Sequence, residues 1–70
     1  MKFKVMHDSG PRLRVRAGKW AFTKEEGYGI ASLLLDYDFI HDVFTSHRNG
    51  SILIYYDGSV ENKQKIFNCI

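Results

Sequence analysis

One cysteine, three histidines and a row of alternate arginines are the residues through which this chain could do chemistry. Soft ions such as Cu(I) or Zn(II) are held by paired, deprotonated sulfurs, and Cys69 has no second thiol to pair with. It reads as a small residue near a helix end. His7, His41 and His47 lie far apart in the chain, so a histidine metal site would need the fold to converge three remote points. Asp36, Asp38 and Asp42 form an acidic group, but the spacing departs from the calcium-binding loop, which also needs a central glycine and a closing Glu. They read as solvated loop acids. A nucleophilic role for Ser9 would need a base, an orienting group and an oxyanion site, and nothing in the sequence supplies that set. Gly27-Tyr28-Gly29 lacks the third glycine and the preceding strand of a dinucleotide fingerprint. The sequence therefore assigns no catalytic residue, no metal ligand and no cofactor.

Arg12, Arg14 and Arg16 are different, because their spacing of two places them on one side of a strand. Residues 1 to 16 hold Lys2, Lys4 and these three arginines against Asp8 alone, although the whole chain carries only +2. Both Lys2 to His7 and Arg12 to Arg16 alternate apolar with mostly cationic residues, the pattern of half-buried strands. Asp8-Ser9-Gly10-Pro11 between them is a cluster of turn formers, so the two strands should form a hairpin.

Thr23 and Glu26 have the capping-box spacing and Glu25 adds negative charge to the positive end of the helix dipole, so a helix is expected from Lys24 to Tyr37. Gly27, Ile30, Ala31 and Leu34 share one face of it, which goes against a sheet. Gly27 lies on that face and suits a close backbone approach. Ile40 to Ser46 and Ser51 to Tyr56 are rich in β-branched and aromatic residues, and His47-Arg48-Asn49-Gly50 joins them with an Asn-Gly pair suited to a hairpin. Ser59 is placed to cap a last helix running from Val60 to about Ile70, with Val60, Ile66, Phe67 and Ile70 apolar. The element order is ββαββα, a single α+β domain over residues 1–70.

Length limits what this domain can do. A core in a chain of 70 residues rarely supplies more than about 3–5 kcal/mol, and small secreted domains are usually stapled by disulfides. A lone cysteine thus points to a reducing, cytoplasmic setting. No apolar run reaches the ~20 residues of a membrane span, and no membrane contact is expected of this segment. The last helix stops on apolar Ile70 without a capping signal, as in a domain cut from a longer protein.

The stretch Ser9-Gly10-Pro11-Arg12-Leu13-Arg14-Val15-Arg16, then a helix, Ile40, Val43, and Asn49-Gly50-Ser51-Ile52-Leu53-Ile54-Tyr55-Tyr56-Asp57 resembles the cysteine-free branch of the heavy-metal-associated domains. Such domains stand at the N-termini of heavy-metal P-type ATPases or occur as small free-standing bacterial proteins. The likeness spans nearly the whole chain. It departs in having Gly10-Pro11 where the family usually has Pro-Gly, and Asp38-Phe39-Ile40 where a Pro-Gly-Val turn usually leaves the first helix. The resemblance implies a ferredoxin-like sandwich, a four-stranded antiparallel sheet with both helices on one face, the first strand occupying an edge. It also implies that Ala17-Gly18-Lys19-Trp20-Ala21-Phe22 stands where the metal-carrying branch has its Cys pair, and no ligand is found there.

With Phe3, Val5, Leu13, Val15, Val43, Ile52 and Ile54 turned to the helices, the period of two leaves Lys2, Lys4, Met6, Arg12, Arg14, Arg16, Phe44, Leu53 and Tyr55 on the other side. The bland reading is a solvated strand face whose arginine stems lie over an aromatic or two. Against it, three large apolar residues grouped on an open sheet point to a partner. The expectation is a non-catalytic binding or regulatory module that docks Arg12, Arg14, Arg16, Phe44, Leu53 and Tyr55 on another protein domain or on its own copy. The alternative is an open-sheet binder of single-stranded nucleic acid, with bases stacked on Phe44 and Tyr55 and phosphates on the arginines. It ranks second because no ribonucleoprotein motif is present and the pI of about 8.8 is modest.

Overall fold

A glycine placed before a proline begins the fold. Gly10 has φ +58° and the proline ring holds Pro11 near −65°, the order of signs of a type II′ loop, whose twist suits a two-residue hairpin. Strands β1 (Lys4–Ser9) and β2 (Arg12–Arg16) therefore pair right up to that loop, with Ser9 opposite Arg12. Asp8 and Ser9, read from the sequence as turn residues, are strand. The computed structural model describes residues 3–69, so Lys2 and Ile70 lie outside the described residues.

β1 does not keep its phase. Val5 opposes Val15, but the register shifts between Val5 and His7, so Met6 is an extra residue and His7 opposes Arg14. Past this bulge Asp8 opposes Leu13 on the helix side, and its Oδ2 accepts a hydrogen bond from Lys63 Nζ at 2.6 Å. Both side chains are partly exposed, so solvent screens the pair and it adds little to stability.

After β2 the chain passes through α1 (Lys24–Leu35) into β3 (Ile40–Ser46) and β4 (Ser51–Tyr56), then α2 (Val60–Cys69). All ladders are antiparallel and the sheet order is β1-β2-β4-β3, with β1 on one edge. The β3–β4 loop spans four residues, with Ser46 opposite Ser51. Gly50 has φ +66° while Asn49 stays at negative φ, so the glycine alone takes the left-handed turn and the loop is not a two-residue type I′ hairpin.

α1 starts as its capping box requires: Thr23 N donates to Glu26 Oε1 at 2.9 Å and Glu26 N to Thr23 Oγ1 at 3.1 Å. It ends at Leu35, two residues short of the expected Tyr37, which instead stacks on Phe39 with ring centroids 5.0 Å apart. α2 is capped by Ser59, whose Oγ accepts from Asn62 N at 3.1 Å. Asp57 joins this cap, accepting from Ser59 N at 3.0 Å, and that backbone bond holds its carboxyl below the usual carboxylate value. Leu34 of α1 and Ile66 of α2 are fully buried in one cluster with Leu13, Val15, Ile52 and Ile54, so both helices cover the same face of the sheet.

Three core residues were not picked out from the sequence: Phe22, Ile40 and Tyr56. Phe22 fills the space that Gly27 leaves open, its ring 3.1 Å from where a Cβ on Gly27 would stand. Val5, expected inward, opposes Val15 on the edge strand but stays exposed, lining with Phe3, Val15 and Phe67 a recess of ≈ 370 Å³; Val60, read as an apolar position of α2, is exposed at its first residue. Phe3 and Val43 pack at the margin of the core.

Tyr56 is buried against Ile40 with no hydrogen-bond partner for its hydroxyl among the described residues. Burial raises its pKa, because the phenolate would be costlier still. An orphaned buried hydroxyl costs about 1–3 kcal/mol. Tyr56→Phe is accordingly expected to raise stability by about 1 kcal/mol in chemical denaturation. A loss of that size would mean that the hydroxyl has a partner.

Candidate interaction surface

The ladder between β2 and β4 sets the open face. Arg12 opposes Tyr55, Arg14 opposes Leu53 and Arg16 opposes Ser51, while Phe44 on β3 opposes Leu53 from the other side. All six residues expected on this face therefore belong to one cross-strand array. Successive arginines lie about 7 Å apart along β2. Phe44 and Tyr55 meet edge to face, with centroids 6.1 Å apart and planes at 88°, the arrangement that a ring quadrupole favours. Phe44 is exposed, and Leu53 and Tyr55 are half-buried.

Among the described residues the arginines here form no salt bridge. Among the described residues the ion pair Asp8–Lys63 is the single one found, and it lies on the opposite side of the sheet. Arg12 and Arg14 are exposed, and Arg16 is steadied by donating from Nε to the Asn49 carbonyl at 3.0 Å. Lys4, opposite Arg16, extends the row. Asp42, opposite Tyr55, is the carboxylate that the ladder adds to this face, and its Oδ1 is occupied by the Val43 N–H at 2.9 Å.

Sequence reasoning missed His7. Strict alternation turns it inward, but the Met6 bulge turns it outward beside Arg14, and Met6, His7, Arg12, Arg14 and Arg16 line a shallow recess of ≈ 310 Å³. A second depression of ≈ 210 Å³ lies between Arg12, Arg14, Phe44 and Leu53. One recess is cationic; the other joins guanidinium to apolar surface. Together they suit carboxylate or phosphate groups held by Arg forks beside an inserted apolar side chain.

The histidines and the cysteine stand apart in the fold. His7 is on the open face, His41 is the extra residue of a bulge in β3, and His47 lies in the β3–β4 loop against Trp20. Cys69 is half-buried against the core at the end of α2. Among the described residues no three His, Cys, Asp or Glu side chains converge.

Comparisons with protein-family models, curated proteins and solved structures find no match to this chain. Its functional reading rests on its own geometry.

Proposed function

We propose that this chain is a non-catalytic docking module of the ferredoxin-like type, similar to the cysteine-free heavy-metal-associated domains, whose open sheet face holds an acidic protein surface. The observation that carries it is the row of three arginines without carboxylate partners among the described residues, set directly against Leu53, Tyr55 and Phe44. The fold assignment is supported by the strand order, with β1 on the edge that the last strand holds in the βαββαβ arrangement. A thiol without a partner suits a reducing, cytoplasmic setting.

The charge selects among protein partners. A second copy laid face to face would set Lys4, Arg12, Arg14 and Arg16 against the same cations, with Asp42 alone to offset them on each side. A different protein presenting carboxylates around an apolar knob meets both halves of the face. The apolar contact supplies affinity and the charges set orientation and on-rate.

The double change Leu53→Ser with Tyr55→Ser tests this. Neither side chain faces the helices, so the fold is expected to survive while capture of the partner in pull-downs is lost. Identical captured proteins with and without the change would refute the assignment. Affinity for single-stranded RNA tighter than about 1 μM at physiological salt would transfer the face to the nucleic-acid reading.

A further inference from the structure

The fold sorts charge along the strand axis in a way that the linear sequence hides. The end of the sheet where Lys4 opposes Arg16 also receives the start of α1 and the β3–β4 loop. Lys4, Arg16, Lys19, Lys24 and Arg48 gather there against Glu25 and Glu26, the latter engaged in the capping box. The other end holds Asp36, Asp38, Asp42, Asp57 and Glu61, all exposed, with Arg12, with Lys63 paired to Asp8 and with Lys65 over Phe39, so acids outnumber cations there.

The chain's one tryptophan stands at the basic end. Trp20 has φ +62°, the single non-glycine residue of positive φ among the described residues, and is 68% exposed. A bulky side chain in this region is strained and persists where its surroundings dictate it. Here they do. Ala17 N donates to the Gly50 carbonyl at 2.7 Å, Ala21 N donates to the Gly18 carbonyl at 3.2 Å, and Phe22 is anchored in the core. The short loop between these anchors turns the indole outward, where it meets His47 with centroids 5.9 Å apart.

We propose that this basic end, with Trp20 at its tip, docks the domain on an anionic lipid surface. An indole with an apolar body and a polar N–H is best placed at the boundary of headgroups and acyl chains, and clustered Lys and Arg are drawn to anionic headgroups. The acidic end lies across a ladder of about 15 Å, about two Debye lengths away at physiological salt, so it does not cancel the attraction. Docked end-on, the sheet stands upright: Lys4 and Arg16 form the membrane end of the cationic row, while Arg12, Arg14, Phe44, Leu53 and Tyr55 stay free for the protein partner. Nucleic acid fits less well, because one aromatic already set against His47 offers no platform for successive bases. The sequence reading expected no membrane contact because it found no span, but interfacial docking needs none.

Trp20 reports on its own docking. Vesicles of phosphatidylcholine with about one-third phosphatidylserine are expected to shift its emission to the blue and to sediment the domain, whereas pure phosphatidylcholine does neither. High salt should reverse both effects. The pair Lys19→Glu with Arg48→Glu is expected to weaken sedimentation by about 25-fold or more, at roughly fivefold for each cation lost. Trp20→Ala should weaken it several-fold while leaving thermal unfolding unchanged. Arg12→Glu, on the open face near the acidic end, should leave vesicle binding intact, which separates failure here from failure of the docking face. Absence of binding to the anionic vesicles at low salt, or binding indifferent to these changes, overturns the proposal. A blue shift with single-stranded RNA and none with vesicles overturns it in favour of a nucleic-acid phosphate.

Discussion

Gly50→Ala is expected to unfold the domain. A Cβ at this position would stand 1.7 Å from the Gly18 carbonyl oxygen and 2.6 Å from its carbon. Both atoms are backbone, so no side chain can rotate away. The same residue has φ +66°, which costs any L side chain further. The contact joins the loop before α1 to the β3–β4 hairpin and is closed by the Ala17–Gly50 hydrogen bond. Relief would have to come from separating these two segments. A loss above about 4 kcal/mol is expected, comparable with the whole stability of so small a domain. Gly29→Ala is the contrasting control: nothing lies within 4 Å of its Cβ position, in the exposed face of α1, and a gain of up to about 1 kcal/mol is expected from helix propensity. Chemical denaturation of the two variants decides the point. A Gly50→Ala protein within about 1 kcal/mol of wild type would mean that the two loops are not in contact.

Ile54→Ala is the second large effect. Ile54 is fully buried between Leu13 and Val43 on the two central ladders, beneath both helices. Truncation removes apolar contacts and leaves a cavity that neighbouring strands cannot close, costing about 2–5 kcal/mol. Leu34→Ala in α1 should fall in the same range for the same reason. Near-neutral results would mean that strand register and helix face are misassigned, and with them the identity of the open face.

How much of this was legible in the sequence depended on whether the controlling interaction is local. The bounds of β3 and β4 and the Thr23–Glu26 cap were readable because alternation and capping are properties of near neighbours. The common face of Arg12, Arg14, Arg16, Phe44, Leu53 and Tyr55 followed from the same period of two. The Met6 bulge was not readable: it serves a contact between Asp8 and Lys63, remote in sequence, and it moves His7 to the open face. Gly10-Pro11 was recognised as turn chemistry, but its order, glycine first, selects the tight two-residue loop that keeps Asp8 and Ser9 in the strand. Trp20 and Phe22, two residues apart, take opposite fates because loop anchoring, not periodicity, orients them. The gathering of cations at one end is a product of topology, since the sheet and the loops bring the elements that carry Lys4, Lys24 and Arg48 to the same end.

Site-specific photo-crosslinking in cells decides whether the open face is a protein-docking surface. A photoreactive side chain replaces Phe44 on that face or, as the control, Leu33 on the exposed side of α1. The expected result is a discrete protein adduct from position 44 only, abolished by Arg14→Glu and competed by unmodified domain, with an acidic surface on the captured protein at the linked site. Adducts equal at the two positions, or adducts to nucleic acid alone at position 44, would contradict the account.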